Sequence, residues 1–347
     1  MTMPSLTIDL NKITENTSLV ARLLKKQGLR LVGVTKACLG NEVVAEAMLA
    51  GGAAALADSH IESIAGLRRH FPETELQLLR SPVAGIKANN HADLFFVSSQ
   101  EQAEAMLKMC ASPPLRLCLM VETGDLREGV PSGLAIETAE AISEMKDVEL
   151  AGVATNAACA RESAPLSEAL LKFSRVVEQL RWRLKLKAVR TLPVVSAGGS
   201  GLLGLMTGVL SGADDTGDLF GPLTELRCGE AILLGRIPSG GTVDLFLPEA
   251  HRDSFLLEGS VLEVFEKAGQ TRALVDLGRQ DVGTAGLIPC REGITPVEVS
   301  SDYLTVVCDP PESIRPIIAV GDRLSFMPSY YALLAAMTSP YIEKRFV

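Results

Sequence analysis

Leu29-Arg30-Leu31-Val32-Gly33-Val34-Thr35-Lys36 reads as an apolar strand that closes on a charge. Seven more such runs follow, at 54–59, 76–81, 93–98, 115–122, 149–155, 192–197 and 225–234. In Leu115-Arg116-Leu117-Cys118-Leu119-Met120-Val121 the apolar residues are nearly continuous rather than alternating, as a parallel strand covered on both faces requires. Segments of helical spacing separate the runs, at 41–50, 60–70, 82–90, 100–110, 134–145, 164–186 and 200–210. Strand-then-helix units repeated eight times predict a (β/α)8 barrel of the TIM type.

On the N-terminal side, residues 4–11 form a short alternating strand and 12–27 a helix carrying Ile13, Leu19, Val20, Leu23 and Leu24. On the C-terminal side the pattern changes at Ser239-Gly240-Gly241. Helical periodicity fades, and strand candidates follow at 242–247, 254–266, 272–277, 296–300, 303–308 and 322–327. The expected organisation is a barrel over 12–238, a mainly β C-terminal domain over 239–347, and an N-terminal strand within 1–11 that pairs into the β domain.

The chain has 347 residues, 47% of them hydrophobic and 22% charged, which suits a globular protein with a large core. A net charge of −9 argues against nucleic acid or an anionic membrane as the main partner, though not against a local basic pocket for a small anion. Met1-Thr2-Met3-Pro4-Ser5 has neither the basic nor the apolar stretch of a signal peptide, and no apolar run reaches membrane-span length. The seven cysteines are odd in number and include no Cys-x-x-Cys pair. Free thiols in a reducing, cytoplasmic setting are expected. The four histidines are scattered, which argues against a zinc site.

In a (β/α)8 barrel the chemistry sits at the carboxyl ends of the strands. Asp58, Ser59 and Arg80, taken singly, read as ordinary polar strand ends. Lys36, Asn156, Ser200 and Arg227, taken together, read as a site. A lysine at the end of an apolar strand is costly as a cation, and a Schiff base to an aldehyde cofactor neutralises it. Ala197-Gly198-Gly199-Ser200-Gly201 lies before a helix, where bare backbone N–H groups can approach a phosphate. An aldehyde cofactor with a phosphate handle is pyridoxal 5′-phosphate.

Several stretches then match a known pattern in order along nearly the whole chain. They are Val34-Thr35-Lys36, Ala57-Asp58-Ser59, Gly124-Asp125-Leu126-Arg127-Glu128-Gly129-Val130, Thr155-Asn156, Gly198-Gly199-Ser200, and the run from Arg227-Cys228-Gly229-Glu230 to Gly235-Arg236. Gly278-Arg279-Gln280-Asp281-Val282, Ser300-Ser301-Asp302 and the run from Ser329-Tyr330-Tyr331 to Pro340-Tyr341 complete the set. With them the chain resembles the alanine racemase family, the fold type III enzymes that use pyridoxal phosphate, and in particular its ornithine racemase branch.

The resemblance implies that Lys36 holds the cofactor and acts as one catalytic base, and that Arg227 meets the pyridine nitrogen. It implies that Ser200, the backbone around Gly229 and Glu230, and Tyr330 hold the phosphate. Arg127 stands where the family's arginine contacts the cofactor phenolate and the substrate carboxylate, and Asn156 stands in place of a histidine beside the ring. A homodimer follows too, with the β domain of one subunit completing the other's site. The expected activity is interconversion of the L- and D-forms of a small amino acid.

Three departures stand out. Where alanine racemases carry a tyrosine as the opposite-face base, Gly278-Arg279-Gln280-Asp281 carries Arg279, whose charge is fixed. Asp302 and Cys159 head the candidates for that base, with Asp281, Cys38 and Tyr303 behind them. Cys38-Leu39-Gly40 stands where the family has a tyrosine soon after the lysine, and Met120 stands where some members carry a carbamylated lysine. These changes shift the expected substrate from alanine to a basic amino acid such as ornithine or lysine, with Asp302, Glu230 or Asp281 receiving its distal ammonium. Two alternatives remain: a pyridoxal phosphate carrier without turnover, which would end near residue 235, and a lyase, which would need a metal set in the second domain.

Overall fold

The computed structural model describes residues 3–81, 91–109, 113–156, 166–186, 192–210, 219–238, 245–267, 269–283, 286–309 and 318–347. The chain divides into two compact units. One comprises Thr14–Lys36 and Gly40–Ala250, the other Met1–Ile13, Ala37–Leu39 and His251–Val347.

Strand β1 (Ser5–Ile8) belongs to the second of these and comes first in the chain. The other unit carries β2 (Arg30–Val34), β3 (Ala55–Asp58), β4 (Leu76–Leu78), β5 (Leu94–Val97) and β6 (Leu115–Glu122) with its short companion β7 (Val130–Pro131). It continues through β8 (Val148–Asn156), β9 (Val194–Gly198) and β10 (Glu225–Cys228). Every pairing in this sheet is parallel. β5 pairs with β6 and β10 with β2, so eight strands close into a ring in the order β2-β3-β4-β5-β6-β8-β9-β10. This is the TIM-type barrel that the strand–helix alternation predicts. Every residue of β3, β5, β9 and β10 is buried, because helices cover one face and the barrel interior the other; that is why these strands show no polar alternation.

The helices are α1 (Leu10–Lys26), α2 (Glu42–Ala50), α3 (Ile61–His70), α4 (Gln100–Met109), α5 (Ala135–Glu144), α6 (Leu166–Leu186), α7 (Leu202–Met206) and α8 (Glu230–Leu234). Asn16, Thr17, Val20 and Leu24 of α1 are buried at spacings of three and four residues, the signature of one helical face. One of the two polar members of that face, Asn16, donates to the Ile232 carbonyl at 3.0 Å. Asn41 caps α2, accepting from the Val43 and Val44 amides at 3.1 Å each.

Two details differ from expectation. β2 stops at Val34, and Lys36 opens a single 3-10 turn, Lys36–Cys38. The run 225–234 is strand only to Cys228; Ala231, Ile232, Leu233 and Leu234 are fully buried in α8. A continuous apolar run looks alike as a buried strand or a buried helix, so periodicity does not separate them. The helix expected at 82–90 lies outside the described residues.

After a short antiparallel pair, β11 (Arg236–Ile237) with β12 (Leu245–Phe246), the remaining strands are β13 (Phe255–Lys267), β14 (Gln270–Val275), β15 (Leu287–Pro289), β16 (Ile294–Val299), β17 (Leu304–Cys308), β18 (Arg323–Pro328) and β19 (Glu343–Phe346). They form a mostly antiparallel sheet in the order β15-β18-β13-β14-β17-β16. β1 pairs antiparallel with β13 and parallel with β19. Two helices interrupt the unit, α9 (Arg279–Val282) and α10 (Tyr330–Thr338). α10 is apolar over most of its length, and Ser329 caps it by accepting from the Ala332 amide at 3.3 Å.

Candidate active site

Four neighbouring strands of the ring, β8, β9, β10 and β2, carry polar residues to their carboxyl ends. Asn156 closes β8, Gly198 closes β9 with Ser200 two residues on, Arg227 sits one residue before the end of β10, and Lys36 lies two residues beyond β2. The register aligns Asn156 with Gly198 and Gly198 with Arg227. Arg227 Nη2 donates to Asn156 Oδ1 and to the Thr155 carbonyl, both at 2.9 Å. This bond passes over Gly198. A Cβ there would lie 2.0 Å from Asn156 Oδ1 and 2.6 Å from Arg227 Nη2, so only glycine leaves room for it.

Arg227 is 4% exposed. A buried cation costs several kcal/mol unless its donors are satisfied. Here Nη1 donates to Ser196 Oγ at 2.5 Å, and the guanidinium stacks over the Phe96 ring at 4.9 Å. Asn156 Nδ2 passes the network on to Glu128, whose carboxylate is 3.2 Å from Arg127. Arg127 also lies 3.7 Å from the buried carboxylate of Asp125. The network therefore runs unbroken from the exposed Arg127 to the buried Arg227.

Ser200 is buried, and its Oγ accepts from the Ala231 amide at 3.0 Å. That bond uses a lone pair and leaves the hydroxyl proton to be donated. Gly229 begins α8 without a side-chain cap and approaches β2 closely: a Cβ would lie 3.1 Å from the Val34 carbonyl. Ahead of Lys36, Thr35 Oγ1 donates to Asp58 Oδ2 at 2.8 Å, and Asp58 Oδ1 accepts from the His60 amide at 3.0 Å. Burial pushes the Asp58 carboxyl up, only partly offset by the His60 N–H and the Thr35 hydroxyl. The Cys118 thiol, fully buried inside the ring, is pushed up by burial and by Glu225, against the opposing pull of Arg227.

The donor set suits pyridoxal phosphate. It offers an amine at Lys36 for the aldehyde, and for the phosphate a hydroxyl at Ser200 with glycine backbone at 198–199 and 229. A buried guanidinium at Arg227 would serve the ring.

The remaining predicted residues lie in the β-rich unit or outside the described chain. Tyr330 opens α10, its ring 5.8 Å from that of Tyr331. Asp302 is exposed and accepts from Gln280 Nε2 at 2.8 Å. Asp281 is buried and accepts from the Gly278 amide and the Ser339 hydroxyl, which makes it a brace between α9 and the end of α10. Tyr303 exchanges hydrogen bonds with Ser300, through its amide and its carbonyl. Cys38 is fully buried, and Cys159 lies outside the described residues. Reading the strand ends takes in Ser196 and Glu128 without giving them a role, and misses Glu225, Arg30 and Gln77. The available signal was Glu225-Leu226-Arg227, two opposite charges on one face of an otherwise apolar strand.

Residues 8–211 match the model of the alanine racemase N-terminal domain. Over 99% of its length the chain is 29% identical to a lysine racemase of Thermotoga maritima, covering 98% of that protein. It is 28% identical over 98% of its length to an ornithine racemase of Acetoanaerobium sticklandii, covering 99% of that protein. Among solved structures, an alanine racemase from Corynebacterium glutamicum aligns over the full length of both chains with a TM-score of 0.73 at 16% identity. The matched segment spans seven of the eight ring strands, with Lys36, Asn156 and Ser200 among its residues, and on it the chain belongs to the alanine racemase N-terminal domain family.

Proposed function

We propose that this protein is a pyridoxal phosphate-dependent amino acid racemase whose substrate is a basic amino acid, lysine or ornithine. The observation that carries the reading is the convergence of Asn156, Gly198–Ser200, Arg227 and Lys36 at the carboxyl ends of four neighbouring barrel strands. The choice of a basic substrate is supported by the two full-length relatives, a lysine and an ornithine racemase.

Pyridoxal phosphate, when bound, draws electrons away from the α-carbon of an amino acid so that its proton can leave. Lys36 holds the aldehyde through its amine and takes or returns the α-proton on one face. Ser200, with the backbone at Gly229 and Glu230, holds the phosphate, and Tyr330 joins them from the β-rich unit of a second subunit in a homodimer. Arg227 donates to the ring nitrogen. A guanidinium does not release its proton at ordinary pH, so Arg227 would donate a hydrogen bond to the ring nitrogen without handing it a proton. Asn156, bonded to Arg227, orients it beside the ring. Arg127 receives the substrate carboxylate. Racemisation needs a proton group on the opposite face, and Asp302 and Cys159 are the residues assigned to it. Glu230, or Asp302 where Cys159 supplies the opposite-face proton, receives the distal ammonium; Asp281, buried and bonded to Gly278 and Ser339, is the brace between α9 and the end of α10.

The test is incubation of purified protein with L-lysine or L-ornithine in heavy water, followed by chiral chromatography. The D-form should accumulate with deuterium at the α-carbon. If the protein binds the cofactor yet leaves lysine, ornithine, arginine, alanine and serine without α-exchange, it is a carrier and the racemase reading fails.

A further inference from the structure

Glu225 precedes Arg227 by two residues on β10, so both side chains leave the strand on the same side. That side is the barrel interior, because they reach Gln77 of β4 and Phe96 of β5, which are not neighbours of β10 in the ring. Glu225 is fully buried. Its carboxylate accepts from Arg30 Nε at 2.8 Å, from Gln77 Nε2 at 3.2 and 3.3 Å, and from Ser196 Oγ at 2.7 Å. The same Ser196 Oγ lies 2.5 Å from Arg227 Nη1.

These partners leave Ser196 one arrangement. A carboxylate only accepts and a guanidinium only donates, whereas a serine hydroxyl has a single proton. That proton points to Glu225, and a lone pair then faces Arg227. With Glu225 neutralised the hydroxyl loses the acceptor that holds it in this direction, and with Ser196 replaced by alanine the hydroxyl is gone; either way Nη1 loses a charge-assisted acceptor in a dry interior. Asn156 and the Thr155 carbonyl hold only the other nitrogen, Nη2.

We infer that Glu225, acting through Ser196, is a positioning residue for Arg227, fixing the guanidinium at the cofactor ring nitrogen from behind. The inference rests on the reading above, in which Arg227 meets that nitrogen. It gives the site a carboxylate that serves the ring without touching it. The negative charge lies on the far side of Arg227, where it orients the arginine and supplies no proton to the ring.

The probe is pyridoxal phosphate labelled with 15N in the ring, bound to the full-length protein and followed by NMR across neutral pH. In the wild-type protein the ring-nitrogen resonance should hold one position and not titrate. In Ser196→Ala, which leaves the Arg30–Glu225–Gln77 contacts intact, it should move and become pH-dependent, and Glu225→Gln should do the same if it folds. Ser196→Thr, which keeps the hydroxyl, should restore the wild-type resonance. With lysine or ornithine, Ser196→Ala should lose about tenfold in kcat with little change in KM, the effect of one hydrogen bond to a charged group. A folded Ser196→Ala that retains the label and shows the wild-type resonance overturns this inference alone. A wild-type protein that takes up no labelled cofactor overturns both it and the reading on which it rests.

Discussion

An alanine methyl at Gly198 would press on the Asn156–Arg227 hydrogen bond from 2.0 Å, and neither partner can withdraw without losing a contact in a buried network. Overpacking of this kind costs about 1–3 kcal/mol. Gly198→Ala should lower the urea midpoint accordingly and release pyridoxal phosphate on dialysis; a variant that keeps both would show that the strand yields there. The cysteines report on burial in a second way. Cys228 is buried in β10, and burial pushes its thiol up to about 12. Cys290 is exposed, with its thiol raised by partial burial and by the neighbouring Asp253. Among the five described cysteines, alkylation followed by mass spectrometry should therefore modify Cys290 first and faster as pH rises, and Cys38, Cys118 and Cys228 only on unfolding. At this scale the sequence was readable where a polar residue ends a strand or closely follows one, as at Asn156 and Ser200. It was opaque at Glu225, which opens its strand and owes its importance to Arg30, Gln77 and Ser196, three residues from distant parts of the chain.

The ring strands were legible as elements because a parallel barrel demands continuous apolar runs, a pattern that few other arrangements impose. The boundary of β10 was not, since Ala231–Leu234 is as buried in a helix as it would be in a strand. α10 escaped for a related reason: buried at Ala332, Leu333, Ala336 and Met337, it has too little polar surface to display a helical period. Helix α2, which follows the Lys36 turn, has a start written in the sequence. Asn41 accepts two first-turn amides, and Asn41→Ala should destabilise the protein by about 1 kcal/mol, with Asn41→Asp or Asn41→Ser recovering most of it. An unchanged melting curve for the alanine variant would mean that packing, rather than the cap, sets the start of α2.

At the scale of the whole molecule, acid should loosen the floor of the barrel. Arg30 grips Glu75 with two hydrogen bonds of 2.8 Å and contacts Glu225 as well. Burial pushes the Glu75 carboxyl up, but the hydrogen bonds from Arg30 and Gln77 together with the charges of Arg30 and Arg116 outweigh it and hold the group below its ordinary value of 4.5. The folded state thus binds this proton less readily than the unfolded chain does. The resulting stability is fully present above about pH 4.5 and is lost as pH falls through the lowered folded value. Glu75→Gln should lower stability near neutral pH by about 1 kcal/mol and flatten the acid limb of a plot of Tm against pH. An equally steep limb in the variant would move the acid sensitivity elsewhere.

The pairing of β1 carries a consequence for the ribosome. Ser5–Ile8 is synthesised about 250 residues ahead of one partner, Phe255–Glu258, and further still ahead of the other, Glu343–Phe346. Its hydrogen-bonding edges stay open to solvent and chaperones through some 250 residues of translation. Nascent chains stalled before residue 255 should expose that ribbon to protease, and chains that have added both β13 and β19 should protect it.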